Sequence, residues 1–205
     1  MGRYLDPKNN TLFRSIFGKH PELLISFLNA MMPLEENQYI KTVEYIQDPT
    51  GFGDDEELIE VLCRDNRRKK FIVEMDIEPG ALDRDRMLYI LSNAYVRQDK
   101  MGIIKPSPVY GVAITNDISV EDIPEYYHHF ALMRRKAGIR TPGMDIVVIE
   151  LPRFDATNTT EEKMRTLWLR FLKEINENCD IEPAPELLEN EYIRKAIELC
   201  KIEDK

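Results

Sequence analysis

Several features are scarce in this chain of 205 residues, and each shortage argues against a class of protein. The 3 cysteines are widely spaced, without a CxxC pair or a neighbouring histidine, which argues against a zinc site and favours reduced structural thiols. No apolar run approaches the roughly 18 residues of a membrane span. The N-terminus also lacks the apolar region of a signal peptide. We therefore expect a cytoplasmic protein.

Two common kinds of active site have no sequence support. There is no glycine-rich phosphate loop, and no serine or cysteine stands in a nucleophile-elbow pattern. Nucleotide-binding folds and hydrolase triads are thus disfavoured.

His128 and His129 are adjacent, so on a strand they would face opposite ways and could not bind one metal ion together.

Positive charge is also in deficit. The chain has 28 Lys and Arg against 37 Asp and Glu, a net charge of −9, which argues against a broad nucleic-acid-binding surface. Basic residues nevertheless cluster twice, in residues 64–70 and 134–140. Each cluster is interpreted either as a local DNA contact or as a solvated charged loop.

The pattern of apolar residues predicts an α/β protein. Two short helices over 11–17 and 21–32 precede a strand at 39–47 and a hairpin with strands at 57–64 and 70–78. A long helix over 82–101 follows, then strands at 107–115, 126–135 and 143–151, and helices over 160–175 and 186–200. We expect a mixed central sheet flanked by helices, with the 107–115 strand buried in its centre. A domain over 1–155 and a C-terminal helical appendage over 156–205 are the predicted organisation.

Three carboxylates on the predicted hairpin are the strongest functional signal. Because side chains alternate along a strand, Glu74 and Asp76 share one face, and Glu60 has a defined face on the neighbouring strand. Three oxygen ligands of this kind suit a hard cation such as Mg²⁺ or Mn²⁺. The alternative is that they lie on the solvated face of an edge hairpin.

Gln98 interrupts the apolar stripe of the long helix. It is either a hydrogen-bonded core residue or a residue that lines a site. The helical pattern predicts that Arg86, Tyr89 and Arg97 point to the other side of the helix.

Four segments together resemble a known family. They are DPKNNTLFRSIFG, LLISFLNAMM, ELIEVLCRDNRRKKFIVEMD and RMLYILSNAYVRQ, in collinear order within about residues 4 to 150. This pattern resembles the transposase-like PD-(D/E)XK nucleases, also called recombination-promoting nucleases. The resemblance implies a restriction-endonuclease-like α/β core and Mg²⁺-dependent (or Mn²⁺-dependent) endonucleolytic cleavage of DNA.

The resemblance also implies roles for individual residues. Glu60, Glu74 and Asp76 would be catalytic and bind the metal, and Gln98 would complete the catalytic set. The predicted DNA-contacting residues are Arg67, Arg68, Lys69, Lys70 and Arg86.

This chain departs from the usual family pattern at three positions. Asn10 and Glu60 replace aspartates, and Asp76 stands where glutamine or lysine is usual. A catalytically degenerate member that binds DNA or protein is therefore the alternative to an active nuclease.

Overall fold

A mixed sheet organises the chain. The computed structural model describes residues 3–46, 59–78, 84–100, 106–120, 123–157, 162–179 and 182–202. Within these ranges the sheet has six strands: β1 (Ile40–Tyr45), β2 (Ile59–Asp65), β3 (Lys70–Glu78), β4 (Val109–Thr115), β5 (Tyr127–Arg134) and β6 (Ile139–Glu150). The helices are α1 (Asn10–Lys19), α2 (Pro21–Met31), α3 (Arg84–Lys100), α4 (Lys163–Glu174), α5 (Pro185–Glu189) and α6 (Glu191–Cys200).

The strand order is β1-β2-β3-β4-β6-β5. β1, β2 and β3 pair antiparallel, β3, β4 and β6 pair parallel, and β5 returns antiparallel along β6. β4 lies in the middle of the sheet, and Val109 and residues 111–115 are buried, as expected for a strand covered on both faces. The predictions of a mixed α/β sheet and of its central strand are confirmed.

Helices cover both faces of the sheet. The larger apolar cluster joins one face to α1, α2, α4 and α6, and its centre includes Trp168, whose ring lies 5.6 Å from that of Phe17 and 5.5 Å from that of Phe27. Because α4 and α6 contribute to the same core as the N-terminal helices, the residues on either side of position 155 pack together. The domain boundary at that position stays a prediction.

On the opposite face, which we call the α3 face, the long helix packs on β3, β4 and β6. A smaller cluster formed by Met87, Leu91 and Ala94 of α3 with Ala113 and Val148 of the sheet holds the helix in place. Gly111 lets the helix come close, since a Cβ atom at this position would lie 2.8 Å from Sδ of Met87 and 3.2 Å from Cδ1 of Leu91. This close contact sets where the α3 side chains meet the sheet.

Several predicted boundaries differ from the observed ones. α1 begins immediately after Asn9, whose side chain caps the helix by accepting a hydrogen bond from the amide of Leu12 at 3.3 Å. The helix continues through Gly18, the predicted stop, to Lys19. The predicted last helix is two helices, because Asn190 ends α5 and caps α6 by accepting from the amides of Tyr192 and Ile193. Predicted helix or strand residues at 47, 57–58, 82–83, 101 and 160–161 lie outside the described residues.

Of the helices in the described ranges, none has the length and apolar character to cross a membrane.

Candidate functional site

Two glutamates face each other across neighbouring strands. Glu60 of β2 is the direct partner of Glu74 of β3 in the antiparallel register. Side chains paired in this way have Cβ atoms about 5 Å apart, and like charges at such a position repel. Asp76, two residues further along β3, projects from the same face of the sheet. The prediction that Glu74 and Asp76 share one face is confirmed, and the hairpin register adds Glu60 to that face.

All three carboxylates are removed from solvent. Their exposed fractions are 7% for Glu60, 2% for Glu74 and 2% for Asp76. The alternative of a solvated edge hairpin is therefore wrong: β3 is an interior strand, and these side chains lie on the α3 face. Burial of a carboxylate is costly unless a positive charge or hydrogen-bond donors compensate for the lost water.

The electrostatics of the glutamate pair follow from this burial. The pKa of Glu74 is raised to about 8, first by burial and then by the charge of Glu60, while the charge of Arg97 opposes both. Burial also raises the pKa of Glu60, again against the charge of Arg97. A pair of this kind favours either a shared proton or a bound cation.

Arg97 supplies positive charge to the pair. One of its terminal nitrogens, Nη2, lies 2.8 Å from Oε1 of Glu60 and 3.4 Å from Oε1 of Glu74. The side chain of Arg97 is 41% exposed, so its stem lies along the rim of the site while its head group reaches the carboxylates.

Asp76 has a different partner. Nη1 of Arg86 lies 3.0 Å from Oδ2 of Asp76, and the amide of Ile77 donates to Oδ1 at 2.8 Å. The carboxylates are thus divided between two arginines, with the glutamate pair at one and Asp76 at the other.

The prediction that Arg86 and Arg97 point to the side of α3 opposite its apolar stripe is wrong. They are eleven residues apart, close to three full helical turns, so they lie along the same flank of α3 beside its apolar stripe. The helical pattern alone does not show that a long arginine side chain can reach the sheet from this flank. Tyr89 is 69% exposed, in agreement with its predicted orientation.

Gln98 is buried and held by the backbone. Its amide nitrogen donates to the carbonyl of Ser107 at 3.0 Å, and its carbonyl accepts from the amide of Ser107 at 2.8 Å. These reciprocal bonds tie the C-terminal part of α3 to the chain entering β4. Of the two interpretations of Gln98, these contacts support the hydrogen-bonded core residue.

The predicted DNA-contacting residues lie at the turn between β2 and β3, apart from Arg86. Arg67, Arg68, Lys69 and Lys70 are all exposed, and Arg68 adopts a positive φ of 63° in the turn. Arg67 is bound to the carboxylate of Glu35 and donates to the carbonyl of Glu36 at 2.8 Å. Lys70 pairs with Arg64 across the hairpin. These two cations line a cavity of about 220 Å³ together with Thr42, Glu44 and Leu62.

Comparison with known protein families identifies the chain. Residues 7–205 match the family described as PD-(D/E)XK nuclease family transposase. The chain belongs to this family. No curated protein and no solved structure matches it significantly. Membership is consistent with the mixed sheet flanked by helices, and it makes DNA the substrate class to test.

PD-(D/E)XK nucleases generally use divalent metal ions, so the carboxylates can be compared with the needs of such an ion. Within the described residues no three Asp, Glu, His or Cys side chains are grouped as a metal site. Glu60 and Glu74 do fit as a pair, because Mg²⁺ commonly takes one or two protein carboxylates and completes its shell with water and phosphate oxygens. Assignment of Asp76 as a third ligand stays a prediction.

Asn10, one of the departures from the family pattern, is the first residue of α1. Its side-chain oxygen is buried and has no hydrogen-bond partner among the described residues.

Proposed function

We propose that the chain is a metal-dependent DNA endonuclease that hydrolyses phosphodiester bonds. In a family of transposases, this cleavage would serve DNA rearrangement. The observation that carries the proposal is the buried Glu60–Glu74 pair on adjacent strands. Two carboxylates placed side by side away from water are unfavourable in an isolated fold, so this arrangement calls for a cation.

Glu60 and Glu74 are the residues that would hold Mg²⁺ or Mn²⁺, with Asp76 beside them. The chemistry that such an ion supplies when bound is activation of water and neutralisation of charge on a phosphate. Arg97 orients the pair before an ion binds and reduces the cost of its negative charge, since it contacts both carboxylates. Arg86 holds Asp76 in place.

The exposed cations nearby supply a way to position the substrate. Arg64 and Lys70 face each other on β2 and β3, four residues along each strand from the glutamate pair. Four strand residues span about 13 Å. Phosphates bound at Arg64 and Lys70 would therefore belong to the same DNA segment that reaches the carboxylates, with Arg67, Arg68 and Lys69 extending the contact at the turn.

Plasmid nicking tests this proposal. We expect the wild type to convert supercoiled plasmid to open circles with Mg²⁺ or Mn²⁺ and to be inactive with chelator. Glu74→Gln, which keeps the shape and removes the charge, should abolish nicking. Glu198→Gln is the matched control, because Glu198 is an exposed carboxylate on α6, which packs on the opposite face of the sheet. Equal nicking by wild type and Glu74→Gln would refute the assignment.

A catalytically degenerate member that keeps the fold for DNA or protein binding is the second candidate. It is favoured by one observation, that arginines already contact all three carboxylates. Calorimetric titration with Mg²⁺ and Mn²⁺ separates the candidates. Binding by the wild type that is lost in Glu60→Ala supports the nuclease, and no binding by either protein supports the degenerate member.

A further inference from the structure

The two basic clusters of the sequence meet at one end of the sheet. β3, β4 and β6 run parallel, and their register aligns Ile72 with Val109 and Val109 with Met144. The β2–β3 turn just before Ile72 and the β5–β6 turn before Met144 are therefore at the same end. The cations concerned are Arg64, Arg67, Arg68, Lys69, Lys70, Arg134, Arg135, Lys136 and Arg140.

Contacts of Glu35 agree with this convergence. Glu35 is bound by Arg67 of the first cluster. Its pKa is lowered, first by that hydrogen bond, then by the charges of Lys69 and Arg67, and also by the charge of Arg140 from the second cluster. The pKa of this exposed carboxyl is thus lowered by residues that lie more than seventy positions apart in the sequence.

The hairpin formed by β5 and β6, here called the ribbon, extends past the neighbouring strand β4. β6 begins at Ile139, five residues before Met144, which pairs with the first residue of β4. Five strand residues correspond to about 17 Å of overhang beyond β4. β3 begins two residues before Ile72, so the overhang beyond β3 is three residues, about 10 Å. The overhang is two-stranded, because Met133 pairs with Arg140 and Arg134 pairs with Ile139.

The ribbon has a defined turn. The carbonyl of Arg134 accepts hydrogen bonds from the amides of Ala137 and Gly138, both at 3.0 Å. Gly138 has a φ of 61°, a conformation that glycine adopts without strain. At the base of the overhang, the carboxylate of Asp145 binds Arg140 and lies 3.3 Å from Nε2 of His129.

The surface of the ribbon combines positive charge with exposed apolar side chains. Residues 130–140 contain four Lys or Arg and no Asp or Glu, in a chain whose net charge is −9. In the described part of the chain, no ion pair engages Arg134, Arg135 or Lys136. The exposed apolar residues are Phe130 (39%), Leu132 (55%), Met133 (59%) and Ile139 (56%).

Charge decides which partner suits this surface. A second copy of the ribbon would bring two copies of Arg134, Arg135 and Lys136 together, so self-association through it is disfavoured. A polyanion is complementary. The major groove of duplex DNA admits a two-stranded β-ribbon, and apolar side chains such as Phe, Leu, Ile and Met are used against DNA bases.

We infer that the β5–β6 ribbon is a DNA-binding element that enters a groove of the double-stranded substrate. The inference rests on the proposed function, because it assigns a substrate-binding element to the same nuclease. β3 and β6 have only β4 between them, about 10 Å from first to last strand. One duplex can therefore contact the ribbon, the basic turn and the glutamate pair together.

Binding measured without cleavage tests the inference. Fluorescence anisotropy in chelator, with a labelled duplex and the matching single strand, compares the wild type with Arg134→Ser/Arg135→Ser/Lys136→Ser. We expect duplex affinity at about 0.1 M salt to fall about tenfold or more, and the slope of log K against log salt to become shallower by up to about 3. Preference for duplex over single strand should decrease with it.

A variant of equal charge change provides the control. Lys19, Lys163 and Lys201 are exposed cations associated with the helical layer, and their triple serine variant should bind duplex like the wild type. Thermal unfolding shows that each variant is folded. Arg135→Glu, a single change within the turn, provides a second reading of the same contact.

Three results would overturn the inference. The first is unchanged duplex binding by the folded ribbon variants. The second is an equal loss of duplex affinity in the control variant. The third is that the ribbon variants lose self-association, or binding to anionic phospholipid vesicles, while they retain duplex binding. Cleavage is scored separately. Duplex binding that depends on the ribbon, without nicking under any metal, would refute the endonuclease and leave the ribbon assignment intact. Nicking that is unchanged in the ribbon variants would refute the ribbon assignment and leave the endonuclease intact.

Discussion

Replacement of Glu74 by glutamine should stabilise the protein at alkaline pH while it removes activity. Glu74 is 2% exposed and lies directly opposite Glu60, so ionisation of its carboxyl in the fold is costly. Glutamine has the same shape and carries no charge. The substitution therefore removes the unfavourable charge without leaving a cavity.

The sign of the pH dependence follows from the pKa of Glu74, which rises from 4.5 to about 8 on folding. Below pH 4.5 the carboxyl is protonated in both the folded and the unfolded chain. Between pH 4.5 and about 8 the unfolded chain releases the proton and the folded chain keeps it, so the free energy of unfolding falls as pH rises.

The magnitude is bounded by the same shift. Each pKa unit is worth about 1.4 kcal/mol, so the stability lost by pH 8 is at most about 5 kcal/mol. Glutamine also gives up the charge interaction with Arg97, which reduces the gain. We expect Glu74→Gln to be more stable than the wild type by about 2–4 kcal/mol at pH 8 and by almost nothing near pH 4.5.

Thermal unfolding in chelator from pH 5 to pH 8 measures this difference. For a chain of this size the expected gain at pH 8 corresponds to a rise in Tm of about 5–15 °C. Glu44→Gln, at an exposed position on β1, should follow the wild type throughout. A Tm difference between Glu74→Gln and wild type that stays constant with pH, or a destabilised variant at pH 8, would show that the pair is not strained by burial.

Two further predictions concern the neighbours of the site. Arg86→Gln removes the ion pair between Arg86 and the buried carboxylate of Asp76, and it should lower the free energy of unfolding in urea by about 3 kcal/mol. Asp76→Asn in the same chain should recover part of this stability. No recovery would contradict the pairing. Gly111→Ala should cost about 1–3 kcal/mol because the new methyl group meets Met87, and Met87→Ala should cost less in that background than alone. Strictly additive costs of the two substitutions would show that the helix is not held by this contact.

The sequence was informative wherever the signal is local. The alternation of side chains along β3 was enough to place Glu74 and Asp76 on one face, because the period of a strand is a property of its own backbone. The apolar run of β4 likewise identified the central strand. The collinear motifs indicated the family that the comparison then showed.

The environment of the carboxylates depended on distant segments. Their burial requires α3 to cross that face, and the position of α3 depends on the close contact at Gly111, which no local period reveals. For the same reason the sequence does not predict the ion pairs of Arg97 with Glu60 and Glu74. The choice between a core and a site role for Gln98 likewise depends on its hydrogen bonds with Ser107, which only the tertiary structure shows.

By itself, the sequence determined the strands, the shared face of Glu74 and Asp76 and the two separate basic clusters. Tertiary structure alone decided that the carboxylates are buried against arginines and that the clusters meet at one end of the sheet. The physical reason is that side-chain direction follows from the few bonds around each residue. Charge burial and charge convergence depend instead on the parallel pairing of β3, β4 and β6, whose partners are joined by long crossovers.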